Sequence, residues 1–175
     1  AGDGFSNRFT PLDQIDAGNF SQLEPAWRWA SADLELRKRA RAENPPRTPF
    51  DPRLVAKVFE FQSTPLMVEG RLYGTTAFGQ VFALDAETGR ELWTHDPKSY
   101  DAAKGLMDFW IPKHRGVSYW RDQSDERIFV PTIDGYLIAL EAKTGALVSS
   151  FGENGRVDLV ESLRGKNIRR GKDYF

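Results

Sequence analysis

An internal repeat constrains the fold of this 175-residue chain more than any other feature. Residues 70–96 align without a gap with residues 126–152, an offset of 56 residues. The identical pairs are Arg71/Arg127, Thr76/Thr132, Gly79/Gly135, Ala83/Ala139, Leu84/Leu140, Ala86/Ala142, Thr88/Thr144 and Gly89/Gly145. Self-similarity at a fixed period of about this length is typical of propellers and solenoids. The sequence therefore predicts stacked copies of one β-unit.

Each copy is predicted to consist of short strands, because β-branched and aromatic residues are enriched between turn signals. The predicted strands are 65–68, 71–76, 80–84 and 90–94 in the first copy, and 127–130, 136–140 and 147–151 in the second. Elsewhere we predict helical turns at 10–13 and from Asn19 to Leu23, an edge strand at 25–29 and a helix at 34–42. The predicted fold class is all-β: a β-propeller of four-stranded blades, with an N-terminal segment and about two blades in this chain.

This interpretation divides the chain into four segments. Residues 1–61 form an N-terminal segment with a closing strand and a surface excursion, and residues 62–97 form the first propeller blade. Residues 98–156 hold a connection and the second blade, and residues 157–175 form a charged connection to a third. Two blades do not close a ring, since propellers have 4–8. We therefore expect either the N-terminal portion of a longer protein or a ring completed by something else.

The turn after the third strand predicts how neighbouring blades meet. The Asp85 carboxylate can accept backbone N–H bonds inside the turn, and Gly89 can take the positive φ that ends it. Glu141 replaces this aspartate in the second copy and is expected to cap less well. Trp93 is predicted to dock against the neighbouring blade, the alternative being a partly exposed edge indole. Ser149 stands at the matching position of the second copy.

Composition excludes several classes of function. A net charge of −1 argues against a nucleic-acid-binding body, and the basic residues between 164 and 172 are interpreted as a solvated loop. The chain has no cysteine, hence no disulfide, thiolate site or Cys-type zinc centre. Neither histidine has a metal-binding spacing, no nucleophilic triad is evident, and no apolar stretch reaches the length of a membrane span. No metal-ligand set is predicted in this chain.

Five segments, in order, resemble motifs of the quinoprotein dehydrogenases. They are the N-terminal signature at 8–15, the first cofactor-side strand at 61–65, the tryptophan-docking motif at 83–93, an Arg-Gly-containing cofactor loop at 114–120 and a phrase of the glucose, quinate and polyol branch at 151–159. The resemblance covers nearly the whole chain. It implies an eight-bladed propeller that holds pyrroloquinoline quinone (PQQ) on its axis.

The same resemblance implies roles for three residues. Arg115 matches the arginine that hydrogen-bonds the reactive quinone oxygens, and Gln62 matches a Glu or Gln position that bonds the cofactor rim. His114 is placed to cover the cofactor face. Alternatively, Arg115 is a surface arginine in an ion pair, Gln62 is a polar residue at the start of a strand, and His114 is an ordinary loop histidine. The family's Ca²⁺ ligands and its carboxylate base belong to later blades and have no counterpart here.

The implied function is a PQQ-dependent dehydrogenase that oxidises a sugar, polyol or other alcohol in the periplasm, with a quinone or cytochrome as electron acceptor. Alcohol-specific branches carry adjacent cysteines shortly before the arginine, whereas this chain has Ile111, Pro112, Lys113 and His114 there. This departure favours the glucose and polyol branch. The alternative is a non-catalytic propeller scaffold of the outer-membrane assembly type. The expected partners are the substrate, the acceptor and the remainder of the propeller, and no nucleic acid.

Overall fold

Two antiparallel sheets of four strands form the body of the computed structural model, which describes residues 13–43, 62–101 and 114–161. Blade 1 consists of β1 (Leu66–Val68), β2 (Arg71–Thr75), β3 (Val81–Asp85) and β4 (Glu91–His95). Blade 2 consists of β5 (Ser118–Asp122), β6 (Asp125–Pro131), β7 (Tyr136–Glu141) and β8 (Arg156–Asp158). Within each sheet the strands lie side by side in chain order. This confirms the predicted four-stranded blades.

The helical segments are few in the described part of the chain. They are a 3₁₀ turn at Phe20–Gln22, the helix α1 at Asp33–Glu43 and a second 3₁₀ turn at Ser99–Asp101. The predicted helix at 34–42 is thus confirmed. The predicted turn from Asn19 is also confirmed, although the Asn19 side chain does not cap it: its Oδ1 accepts the N–H of Asp16, and its amide donates to the carbonyl of Gln14.

The alternating strand directions give each blade two edges. The upper edge, defined by residues 62–65, 76–80, 114–117 and 132–135, holds the β2–β3 and β6–β7 turns and the starts of β1 and β5. The predicted propeller makes β1 and β5 the innermost strands of their blades. The lower edge, defined by residues 69–70, 86–90, 123–124 and 142–146, holds the other turns. Each blade therefore presents one set of loops upward and another downward.

The hydrophobic core lies between the two sheets. It joins side chains of both blades: Tyr73, Val81, Ala83, Trp93, Ile128, Val130, Ile138, Leu140 and Ala142. Tyr73 is fully buried, and its hydroxyl donates to the carbonyl of Ala142 at 3.1 Å. Since burying each large aliphatic side chain stabilises a fold by roughly 1.5–3 kcal/mol, neither sheet would keep this core without the other.

Trp93 docks as predicted. Only 9 % of the residue is exposed, and its indole N–H donates to the carbonyl of Ala142 at 3.0 Å. The ring lies on Gly145, where an added Cβ would come within 2.5 Å of Trp93 Cε3. In the turn beneath it, Glu141 accepts only the Thr144 hydroxyl, at 2.7 Å. Asp85 accepts both the amide and the hydroxyl of Thr88, so the expectation of weaker capping by Glu141 is confirmed.

A second indole makes the same contact one blade earlier. The N–H of Trp27 donates to the carbonyl of Ala86 at 3.2 Å, and its ring lies on Gly89. Ala86 and Gly89 are the repeat equivalents of the two residues that receive Trp93. Each blade is therefore met at its lower edge by an indole from the chain that precedes it.

The outer strand of blade 2 was predicted wrongly. Residues 147–151 do not form it: Leu147 makes one bridge to Leu140, and the chain then turns. The outer position passes to β8, which pairs with residues 136–138 and extends across the predicted segment boundary at 156. The cause is local, because three residues with positive φ, Gly152, Asn154 and Gly155, fold the intervening segment into a loop.

The predicted edge strand at 25–29 is also not formed, because a strand needs a hydrogen-bonded partner and no described strand lies beside these residues. The part of the predicted turn at 10–12 lies outside the described residues, as do most of the second connection, at 102–113, and the basic residues after 161. No helix within the described ranges is both long and apolar enough to cross a membrane.

Candidate functional site

An open pocket of about 670 Å³ lies at the upper edge, between the starts of the two innermost strands. Its lining is Thr64, Pro65, Leu66, His114, Arg115, Gly116, Val117, Ser118, Phe129, Pro131, Thr132 and Ile133. The two predicted site residues His114 and Arg115 are thus brought to one cavity. In a radial arrangement of blades, the starts of the innermost strands are the parts nearest the axis.

The backbone holds the two walls of the pocket together. The amide of Thr64, just before β1, donates to the carbonyl of Arg115 at 3.3 Å. Gly116 follows with a φ of +137°, and a Cβ there would lie 3.1 Å from the carbonyl oxygen of Thr64. A glycine after Arg115 therefore lets the two blades approach closely enough for this bond.

Arg115 is exposed at the pocket, with its side chain placed by the segment that leads into β5. Among the described residues that line the cavity it is the only arginine or lysine, and none of them is acidic. A guanidinium offers a planar set of five N–H donors, which suits oxygen acceptors on a flat ligand.

His114 is half-buried, and its imidazole lies against the backbone of Gly79 in the β2–β3 turn. A Cβ on Gly79 would come within 2.6 Å of His114 Nε2, and the φ of +80° also favours glycine at this position. Burial lowers the pKa of His114 below its ordinary value of 6.5. The ring is consequently neutral at pH 7 and offers the pocket a flat, uncharged face.

Gln62 is exposed and lies four residues before β1, much as Arg115 lies three residues before β5. It is near the pocket along the chain, because Thr64 and Pro65 belong to the lining, but Gln62 itself does not. The structure therefore brings His114 and Arg115 together and leaves Gln62 beside the cavity.

Apolar side chains that sequence reasoning did not single out form the opposite wall. Phe129 on β6 and Ile133 in the β6–β7 turn both line the cavity. Phe129 packs edge-on against Phe151, with ring centroids 5.3 Å apart. Phe151 belongs to the loop that interrupts the outer strand of blade 2, so this loop supports the pocket wall. The sequence predicted Phe129 only as part of the strand at 127–130, and nothing in it signalled the cavity.

A planar, anionic quinone cofactor fits this set of donors and walls. Arg115 supplies positive charge, Ser118 supplies a hydroxyl group, and proline, leucine, phenylalanine and isoleucine supply apolar surface. No group of three or more His, Asp or Glu residues that could hold a metal ion occurs within residues 13–43, 62–101 and 114–161.

Comparison with known proteins decides the family. The PQQ family model, described as "Glucose/ethanol/alcohol dehydrogenase, beta-propeller domain", matches residues 1–174. The chain belongs to this family. The predicted membership among the quinoprotein dehydrogenases is therefore confirmed, and with it the all-β propeller fold class.

Several characterised members of the family are similar to the chain. It is 30 % identical to quinate/shikimate dehydrogenase (quinone) of Acinetobacter baylyi over 95 % of this chain and 20 % of that protein. It is 36 % identical to the dehydrogenase subunit of alcohol dehydrogenase (quinone) of Gluconobacter oxydans, over 82 % of this chain and 15 % of that protein. It is 32 % identical to quinoprotein glucose dehydrogenase of Escherichia coli, over 89 % of this chain and 18 % of that protein. The chain spans 15–20 % of the length of these relatives.

Among solved structures, quinohemoprotein alcohol dehydrogenase from Comamonas testosteroni matches with a TM-score of 0.48 and 30 % identity. That match covers 61 % of this chain and 14 % of the other chain.

Proposed function

We propose that the chain forms the N-terminal part of a PQQ-dependent dehydrogenase that oxidises a sugar, polyol or other alcohol. The observation that carries the proposal is the upper-edge pocket between the starts of β1 and β5, which His114 and Arg115 line from the segment before β5. Family membership supplies the chemistry: PQQ, when bound, provides an ortho-quinone that accepts the hydride of the alcohol.

The residues of this chain bind and orient the cofactor. Arg115 would hold the quinone oxygens with its planar set of donors and would stabilise negative charge there. His114 would cover one face of the cofactor as a neutral imidazole, because burial lowers its pKa. Gln62, beside the cavity, would hold the rim of the cofactor from the segment before β1.

Other parts of the reaction lie outside this chain in the proposal. Later blades would supply the ligands of a Ca²⁺ ion, which would serve as a Lewis acid, and a carboxylate that would take the hydroxyl proton of the substrate. Electrons leave to a quinone or a cytochrome. The periplasm is the proposed location, as the family resemblance implies.

The direct test uses the full-length protein with PQQ and Ca²⁺. Cofactor absorbance should appear on the protein after removal of free PQQ, and dye-linked oxidation of glucose, polyols or simple alcohols should follow. A folded protein that retains no PQQ and oxidises none of these substrates would contradict the proposal and favour a scaffold propeller.

Arg115→Ala provides the test of the site. Loss of one preorganised donor should lower kcat by roughly 10²- to 10³-fold while the protein still folds. The matched control is Arg90→Ala, which removes an exposed arginine at the lower edge and should leave kcat unchanged. Equal activities of the two variants would rule out the role assigned to Arg115.

A further inference from the structure

The same threonine turn occurs at the upper edge of both blades. In blade 1 the amide of Thr76 donates to the carbonyl of Gln80 at 2.8 Å, and the amide of Gln80 donates back to the Thr76 hydroxyl at 3.1 Å. In blade 2, Thr132 and Tyr136 make the equivalent bonds at 2.7 and 3.1 Å. The two copies of the repeat therefore share the same turn backbone.

The two turns differ in the source of their carboxylate. In blade 2 the turn has its own, because the Thr132 hydroxyl donates to Asp134. The repeat equivalent of Asp134 is Phe78, which is buried and packs edge-on against Tyr100 at 5.9 Å. Blade 1 thus lacks an acidic residue inside its turn.

Asp33 brings a carboxylate to the blade 1 turn from 45 residues away. It lies in the first turn of α1, is 7 % exposed, and accepts the N–H of Phe78 at 3.3 Å. Burial raises the pKa of Asp33, while the Thr76 hydroxyl and the amides of Phe78 and Ala77 oppose that rise. The Ser31 hydroxyl accepts a hydrogen bond from the backbone N–H of Asp33 at 3.1 Å, and this bond fixes the start of the helix.

The turn that Asp33 holds is the one on which His114 rests. Gly79 is the residue after Phe78, and its Cα surface contacts the imidazole. A displacement of the Phe78 amide would move Gly79, because a peptide bond joins the two residues inside a turn that the Gly79 amide closes on the carbonyl of Thr76 at 3.0 Å. A continuous set of contacts therefore runs from α1 to the pocket.

We propose that Asp33, in the first turn of α1, is a positioning residue. It takes the place of the carboxylate that the blade 1 turn lacks, and it thereby fixes Gly79 beneath the His114 ring. The link to the cofactor rests on the proposed function, whereas the link to His114 does not. The helix α1 of the N-terminal segment thereby has a purpose at the pocket.

The test reads His114 directly, in full-length protein free of PQQ. Histidine resonances are followed by NMR against pH, and His114 is assigned by the signal missing from His114→Gln. In Asp33→Ala the imidazole should lose its support and become hydrated, so its pKa should rise toward the ordinary value of about 6.5. Gly79→Ala should displace the same resonance with Asp33 intact, because the new Cβ meets the ring.

Two controls match these variants. Asp85→Ala removes a carboxylate that caps a turn at the lower edge, and Gly70→Ala adds a Cβ at a φ of +75° with no atom within 4 Å. Both should leave the His114 titration unchanged. If Asp33→Ala does not fold, Asp33→Asn is used, since its amide group places donors against the amides of the turn and should shift His114 in the same direction.

A folded Asp33 variant with the wild-type His114 titration would overturn the proposal. Titration of the same samples with PQQ separates the proposed function from the role of Asp33. If wild-type protein bound no PQQ, the proposed function would fall, while the shift of the His114 resonance would still decide the role of Asp33.

Discussion

At the scale of single residues, burial sets the protonation of His114 in the pocket, because no neighbouring group in the described part of the chain offsets the loss of solvation. Desolvation alone lowers the pKa of His114. For His95, on β4, desolvation is again the largest cause of a lowered pKa, and a backbone bond with Gly145 opposes it. Both side chains are therefore kept neutral by the fold, one at the pocket and one between the blades.

This predicts how stability depends on pH. A histidine whose native pKa is below its unfolded value binds more protons when unfolded, so the free energy of unfolding should fall as the pH drops below about 6.5. His114→Gln should remove part of this dependence and leave the part due to His95. Urea unfolding at about pH 7.5 and pH 5.5 measures the difference. An identical pH dependence in wild type and variant would contradict the assignment.

Residue positions were predictable from sequence where the repeat or a motif marked them. Gly145 follows from the repeat, Trp93 from its place on the predicted outer strand, and His114 and Arg115 from the family resemblance. Asp33 carried no signal, because its partner amide lies 45 residues away and its own helix reads as a charged surface segment. Contacts between distant segments are not encoded in local spacing.

At the scale of secondary-structure elements, the lower-edge turn acts as a receptor for an indole. Gly145 has a φ of +72°, and Trp93 covers it. Gly70, in the β1–β2 turn, has nearly the same φ but faces open space. The two glycines therefore separate the cost of backbone strain from the cost of a blocked docking contact.

Gly145→Ala should destabilise the protein considerably more than Gly70→Ala. Both pay for positive φ, at roughly 1–2 kcal/mol, but only the first forces a Cβ to within 2.5 Å of the indole. Thermal melts together with Trp93 fluorescence measure both the stability and the contact. Equal losses of stability in the two variants would show that the indole moves aside freely.

The elements themselves were largely predictable, with two exceptions. Six of the eight strands overlap predicted strands, because alternation and turn residues mark them. The strand β5 was not predicted, since residues 114–120 were assigned to a loop. The outermost strand of blade 2 escaped, since residues 147–151 have strand-like composition but the following Gly152 and Gly155 divert the chain. The diversion in turn places Phe151 behind the pocket wall.

At the scale of the whole molecule, the blades are linked in one direction. Trp27 contacts blade 1 and Trp93, from blade 1, contacts blade 2. We therefore expect damage to an indole to loosen the blade that follows it. This order is a property of the arrangement and does not depend on the cofactor.

Amide hydrogen exchange of full-length variants measures this directionality. Trp27→Ala should raise exchange in residues 86–90, whereas Trp93→Ala should raise it in residues 142–146 and cost about 3–5 kcal/mol of stability. Trp120→Ala is the control, because this inner-strand indole is 43 % exposed. Identical exchange patterns in the Trp27 and Trp93 variants would contradict a directional linkage.

The one-way donation of indoles has a consequence for assembly. A unit that gives a ring on one flank and receives one on the other has complementary, non-identical faces, which is the geometry of head-to-tail polymers unless the rotation closes. In this chain both glycine-floored slots are filled from within, that of blade 1 by Trp27 and that of blade 2 by Trp93. Loss of Trp27 would therefore leave the slot of blade 1 vacant and complementary to the ring that blade 1 itself donates from its other flank, so that head-to-tail contacts between molecules would become available.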